Sequence, residues 1–364
     1  MTLRVSAPGK TILMGEHAAV YGRPALVAAV GRRLEVCLAF NDSSSIRLEL
    51  PAVGVSATTD WASLAAETRR AREQWLELAD APSAEGFRRL RGDDPAFLVR
   101  IALGETAAWI ERRSGLPVDR GLDVRVTSDL PVGSGFGSSA AVAVGVAKGL
   151  AGLAGVEPTA EDLQALALDI ERRQHGLPSG VDTAAVIHGG VVWTQRDDQG
   201  DLQVEPVDLV TGALDRVRIL NTGEPVESTG EVVAAVRERW QSDRRGVTSL
   251  LDRMERATVE LRSLLAQRSM PEADSDSLVP LFREFEACLE ALGVVPEEVQ
   301  TRLRALEALG GAGKISGAGT LTGSGAGSLL VYHRRPERIA GCIADLPSLD
   351  APLGAPGVRI EDRG

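Results

Sequence analysis

Residues 121–153 constrain the fold more tightly than any other stretch of the chain. GLDVRVTSDL (121–130) alternates apolar and polar side chains as a strand does, and Pro131 ends it. LPVGSGFGSSAA (130–141) carries Gly133, Gly135 and Gly137 ahead of Ser138 and Ser139, and small helix formers continue to about residue 153. A strand that runs through a glycine turn into a helix belongs to a layered α/β architecture. The glycines let the loop backbone approach a ligand closely. The unpaired N–H groups and the dipole at the helix start favour an anion there. A triphosphate fits this description. The spacing is neither the Walker pattern nor a dinucleotide fingerprint, since no G-K-[ST] follows the glycines. The alternative is a tight turn packed on a neighbouring element, and this segment alone does not separate the two.

Charge sharpens the question of how an anion would be held. With 40 basic against 51 acidic side chains the net charge is −11, so non-specific attraction to nucleic acid or an anionic membrane is not expected, and any phosphate must be held by a local site. Lysine occurs only at positions 10, 148 and 314, beside 37 arginines. Where the chain keeps lysine, a compact ammonium is required that a planar guanidinium cannot imitate. Lys10 and Lys314 adjoin glycine-bearing segments and carry that expectation, whereas Lys148 reads as a helix-surface residue. The three cysteines (37, 288 and 342) have no metal-ligand spacing or disulfide framework, which suits a reducing, cytoplasmic setting. No signal-peptide pattern opens the sequence, and the longest apolar stretch (140–147) is too short to span a bilayer, so no membrane partner is expected.

At 364 residues the chain accommodates two domains, and a soft boundary is placed near residue 212. Strands are expected at 3–7, 25–40, 121–130, 186–194 and 204–220, and in SLLVY after the glycine-rich segment 310–327. Helices are expected at 60–79 with Asp60 as N-cap, 97–113, 138–153, 247–268 and 276–291. Thr159 with Asp162 and Ser228 with Glu231 form capping-box patterns that open two more.

Two further constellations carry chemistry. ERRQHGLPSGVD (171–182) sets Glu171 in the last turn of a helix and Asp182 past a Pro-Ser-Gly turn, so the two carboxylates can converge on one cleft. One could hold a divalent cation while the other accepts a proton. The alternative is a solvated Glu171 and an Asp182 that only caps the next element. In APGKTILMGEHAAVYGRPAL (7–26), Lys10 follows Pro-Gly in a strand, and Glu16 and His17 occupy the turn after it. No second histidine sits four residues on, so this is not a zinc pattern.

These three segments, with KISGAG (314–319) and GSGAGS (323–328), resemble the signature motifs of the GHMP kinase superfamily. GEHAAVYG together with ERRQHGLPSGVD is most similar to its mevalonate kinase family, and TGEPVESTGEVVAAVR (222–237) and CLEALGVVPEEV (288–299) resemble that family's C-terminal helices. The resemblance implies a mixed α/β and α+β, two-domain GHMP kinase fold. Its N-terminal α/β domain, of the ribosomal-protein type, would span 1–212, and a ferredoxin-like C-terminal domain 213–364. It implies ATP and Mg²⁺ as cofactors, a small-molecule partner, and a monomer or homodimer. Gly133, Ser134, Gly135, Phe136, Gly137, Ser138 and Ser139 would cradle the ATP phosphates, with Ser128, Gly317 and Gly319 also on the nucleotide. Ser139 and Glu171 would bind Mg²⁺, and Asp182 would take the proton of the substrate hydroxyl with Lys10 beside it. Glu16 and His17, with Lys10 and Asp182, would line the substrate pocket. The implied reaction is phosphorylation of the 5-hydroxyl of mevalonate. A phosphomevalonate kinase, a sugar 1-kinase or a non-catalytic sensor on the same fold are the alternatives.

Three features depart from the family pattern. Phe136 replaces a leucine, and Thr320, Leu321 and Thr322 lengthen the third motif before its glycines resume. Glu227 stands where a basic residue is usual, and an acid there does not help to hold an anionic substrate.

Overall fold

The computed structural model describes residues 2–80, 86, 94–131, 135–176, 178–209, 212, 214–267 and 277–363. Two sheets organise them. The first contains β1 (Thr2–Met14), β2 (Ala25–Asn41), β3 (Ile46–Leu50), β4 (Val55–Thr59), β5 (Gly121–Ser128), β6 (Val191–Arg196), β7 (Leu202–Val207) and β12 (Arg359–Arg363). The second contains β8 (Val217–Asn221), β9 (Ala312–Ser316), β10 (Ser328–Tyr332) and β11 (Ser348–Leu349), in the order β11-β8-β10-β9. The described helices are α1 (Trp61–Asp80), α2 (Phe97–Ser114), α3 (Ser138–Leu153), α4 (Ala160–His175), α5 (Val181–His188), α6 (Thr229–Ser242), α7 (Arg244–Leu265), α8 (Leu278–Ala291), α9 (Glu297–Ala308) and the short α10 (Ala340–Ile343).

β2 is long enough to serve two partners on one edge: residues 25–28 pair with β6 and residues 34–41 with β5. Its other edge pairs with β1, whose register shifts between Pro8 and Gly9. Proline lacks an N–H to continue the ladder. At Gly9 an added Cβ would lie 2.5 Å from Leu130 Cδ2, so β1 passes hard against the start of the glycine loop. α3 lies directly on β1 and β2. It gets close because it is built from alanine and glycine: a Cβ at Gly145 would sit 3.0 Å from Val36, and one at Gly149 would sit 2.4 Å from Leu38. In the second sheet, α8 and α9 cover β9, and α7 packs on α8. Both capping boxes form, and Asp60 accepts the N–H of Ser63 at the start of α1.

Two expected strands are corrected. Residues 181–188 are helical, and the strand begins only at Val191. Val181, Ala184, Ala185, Val186 and Ile187 are all buried, and a short run that is apolar on every side has no period to separate helix from strand. Gly180, Gly189 and Gly190 take positive φ and bracket the helix. The strand expected over 204–220 is two strands in different sheets, β7 and β8. Pro206 is tolerated in β7 because that strand pairs on one side only, with β6.

After β11, residues 350–358 cross back over the first sheet. Gly31 donates its N–H to Pro352 O at 2.9 Å, and Val358 donates to Val186 O at 2.8 Å. Arg33 binds Pro356 O and Gly357 O while also donating to Ser6. β12 then pairs antiparallel with β1. No described helix is long and apolar enough to cross a membrane. Gly357 meets α5 end-on, where a Cβ would be 2.2 Å from Ile187 O and 2.8 Å from His188 C. Gly357→Ala is therefore expected to destabilise the protein by about 1–3 kcal/mol through backbone displacement. Gly341→Ala, in a helix with open space around its Cα, is expected to hold or slightly raise the melting temperature, and thermal denaturation of the two variants checks both expectations.

Candidate active site

The residues singled out in three distant parts of the sequence meet at one end of α3. Lys10 on β1 donates its backbone N–H to Phe136 O at 2.9 Å, which ties the strand to the glycine loop. Its aliphatic stem fills the space beside Gly137, where a Cβ would lie 2.5 Å from Lys10 Cγ. Gly137 is thus required twice, by that contact and by its φ of 72° at the N-cap of α3. The Lys10 ammonium sits 2.9 Å from Asp182 Oδ2, with side-chain exposures of 4% and 32%. Asp182 lies in the first turn of α5, where a carboxylate is favoured by the helix dipole. α5 itself is seated by Val181, Ala184 and Ala185, which are buried against Ala25, Val27 and Val192 of the first sheet.

Glu171 in the last turn of α4 is buried at 4% exposure. Burial pushes its pKa up; His175 opposes that, the like charge of Asp182 adds to it, and a hydrogen bond from Ser139 and the charge of Lys10 oppose it. Lys10, Ser139, Glu171 and Asp182 therefore form one electrostatic group. Glu171 Oε1 has no hydrogen-bond partner, and His175 Nε2 is 3.9 Å from it. A buried carboxylate oxygen without a donor, next to a serine hydroxyl, offers the hard oxygen ligands that a small divalent cation takes. No cluster of three or more His, Cys, Asp or Glu suited to a metal occurs among the described residues. A cation at Ser139 and Glu171 would complete its shell with ligand oxygens and water.

Gly133 and Ser134 of the expected phosphate cradle lie outside the described residues. Gly135 and Gly137 both have positive φ, Phe136 is buried, and no side chain caps the start of α3 at Ser138 and Ser139. Ser128 ends β5, and its hydroxyl accepts the N–H of Leu130, shaping the turn into the loop. The third glycine motif faces this loop: a Cβ at Gly135 would be 3.2 Å from Ser316 O. Gly317 has open space about its Cα, whereas Gly319 is pressed against Val294 O.

Glu16 and His17 reach the same region but turn toward the second sheet. Lys314 Nζ donates to Glu16 Oε1 at 2.5 Å and to Ile315 O at 2.6 Å, with both side chains almost fully buried. His17, a non-glycine residue at φ 57°, has Nε2 2.9 Å from Ala318 O. Burial lowers its pKa, so the neutral ring donates from Nε2 and Nδ1 is left without a partner. Glu16 Oε2 is likewise unpartnered. Thr11 and Ile12 bind the Ser316 hydroxyl, at 2.9 Å each. The expectation for Lys314 from lysine scarcity thus has a physical counterpart: a buried ammonium linking motifs 300 residues apart.

Sequence reasoning missed Glu286 on α8. It is buried, accepts the Ile315 N–H through Oε2, and leaves Oε1 unpartnered. Its helix pattern looks like any amphipathic surface, and only the register of α8 against β9 buries it. Burial pushes its pKa up to about 8, against the pull of Lys314 and the Ile315 N–H. The native state therefore retains a proton that the unfolded chain releases near the ordinary glutamate value of 4.5. That contribution to stability is complete below pH 4.5 and is lost as pH rises toward 8. Glu286→Gln is expected to gain melting temperature relative to the wild type between pH 5 and pH 8.5. A difference that stays constant over thermal scans at the two pH values would show that Glu286 is already ionised in the native state.

Residues 100–190 match the model of the GHMP kinases N terminal domain, a span that holds the glycine loop, Glu171 and Asp182. Mevalonate kinase of Thermococcus sibiricus is 30% identical over 100% of this chain and 99% of its own length. Mevalonate kinase of Homo sapiens is 31% identical over 98% of this chain and 94% of its own. Among solved structures, L. major mevalonate kinase in complex with R-mevalonate superposes with a TM-score of 0.67 at 20% identity, covering 96% of this chain and 95% of that one, which shows the shared fold. The similarity in sequence runs from end to end and takes in every motif that meets around Lys10, and on that ground the chain belongs to the mevalonate kinase family of the GHMP kinases.

Proposed function

We propose that this chain transfers the γ-phosphoryl group of ATP to the 5-hydroxyl of mevalonate, giving 5-phosphomevalonate and ADP. The observation that carries the chemistry is the Lys10–Asp182 pair at 2.9 Å, beside Ser139, Glu171 and the start of α3. The choice of mevalonate rests on the full-length similarity to mevalonate kinases.

Phosphoryl transfer needs positioning and charge neutralisation rather than covalent help from the protein. In this reading the backbone N–H groups of the glycine loop and the start of α3 hold the phosphates. Asp182 orients the substrate hydroxyl and accepts its proton as the new oxygen–phosphorus bond forms and the bond to ADP breaks. Lys10 opposes the negative charge that grows on the attacking oxygen. Ser139 and Glu171 would hold Mg²⁺, which when bound neutralises charge on the phosphate oxygens. Gly133 and Ser134 are assigned to the phosphate cradle, Ser128, Gly317 and Gly319 to the nucleotide's surroundings, and Glu16 and His17 to the substrate side. A domain division near residue 212 completes the reading, with residues 359–363 returning to the first sheet.

ADP release measured with mevalonate, phosphomevalonate, galactose and homoserine tests the assignment, and turnover is expected with mevalonate. Lys10→Met and Asp182→Asn are each expected to lower kcat by about 10²–10⁴-fold, and Glu171→Gln to raise the Mg²⁺ concentration needed for half-maximal rate. Wild-type turnover in Lys10→Met removes the pair from the mechanism. Turnover on another acceptor alone removes mevalonate.

A further inference from the structure

The two departures from the family pattern in the C-terminal half, an acid at 227 and a lengthened third motif, touch each other. Glu227 precedes the N-cap Ser228 of α6. Its carboxylate accepts the Thr320 hydroxyl, the Thr322 hydroxyl at 2.6 Å and the Leu321 N–H at 3.0 Å. Partial burial works against its ionisation, yet the Thr320 and Thr322 hydroxyls and the Leu321 and Thr322 amides outweigh it and draw its pKa down to about 2. Its charge is spent on the loop rather than presented to a ligand. The inserted residues are the ones that hold it: two hydroxyls and an amide where the usual motif runs straight into glycines.

The loop so held lies between two fixed ends. Ser316 stands beside Gly135 of the phosphate loop, and Thr320 donates its N–H to Val294 O at 3.0 Å. At the far end, Thr222 donates its hydroxyl to Gly327 O and accepts the N–H of Ala326. Between them, the side chains of Thr320 and Thr322 and the Leu321 N–H are tied to Glu227, while Gly317, next to Ser316, has open space about its Cα. Without the carboxylate, the Leu321 N–H and the Thr322 hydroxyl lose their acceptor, the Thr320 hydroxyl keeps only Thr322 O, and the backbone of 321–325 gains conformations.

We propose that Glu227 is a positioning residue that fixes the lengthened third glycine loop against the phosphate loop and so sets the affinity for nucleotide, without taking part in recognition of the small-molecule substrate. The inference rests on the assignment of the glycine loop to nucleotide phosphates, but not on which alcohol is phosphorylated. Its test is the dissociation constant for ADP, measured by calorimetry in the full-length protein, together with separate KM values for ATP and mevalonate. Glu227→Ala is expected to weaken ADP binding and raise the KM for ATP about tenfold, equivalent to about 1.4 kcal/mol, with the KM for mevalonate held within about twofold. Thr322→Val removes one donor at an exposed position, and is expected to shift ADP binding about threefold in the same direction. It carries the test alone if Glu227→Ala does not fold. A purely structural role would lower the melting temperature and leave the ADP constant in place. That outcome overturns the proposal, as does a change confined to the KM for mevalonate. Failure of the mevalonate assay in the wild type would instead overturn the assignment of substrate, and the ADP measurement would still decide this one.

Discussion

Lys10 is an ammonium held almost out of water, and the site is arranged around that fact. A charge with 4% exposure is tolerated only where an opposite charge and a matching cavity are provided. Asp182 supplies the charge from the first turn of α5, and Gly137 supplies the cavity by having no side chain. Both requirements fall on segments far from β1 in sequence. The position of one lysine therefore fixes where α3 begins and where α5 docks. The backbone bond from Lys10 to Phe136 then sets the glycine loop at the same place. Loss of Asp182 would leave the Lys10 ammonium buried without its counter-charge, so the pair proposed to carry the chemistry also helps to hold its scaffold.

A second buried ammonium repeats this logic across the two sheets. Lys314 on β9 reaches Glu16 in the turn after β1, and the Ser316 hydroxyl meets Thr11 and Ile12. These contacts draw the third glycine motif up to the first. Ser316 at the end of β9 thereby comes to lie beside Gly135 of the glycine loop.

Much of this was legible in the sequence, for reasons that can be named. Scarcity of lysine marked positions 10 and 314, because a chain that uses arginine elsewhere keeps the smaller cation where space is limited. The capping boxes at Thr159 and Ser228 were readable because both partners lie within one turn of each other. Convergence of Glu171 and Asp182 was visible as a possibility, since a helix stop and a sharp turn separate them. What escaped notice depends on contacts made across the fold. The strand expected over 186–194 starts only at Val191, because the apolar run at 186–187 carries no period and belongs to α5, which docks on Ala25 and Val27. Glu286 looked like a surface acid until the packing of α8 on β9 became known. Glu227 read as an obstacle to an anionic ligand because the hydroxyls that engage it are some 93 residues away in the chain.

The pairing of β12 with β1 bears on how the protein is made. β1 is synthesised more than 300 residues ahead of β12, yet its outer edge gains a partner only when residues 359–363 have been made. Until then the nascent sheet carries a bare row of N–H and C=O groups, a template for mispairing with other chains. Protection from intermolecular strand addition arrives only with β12.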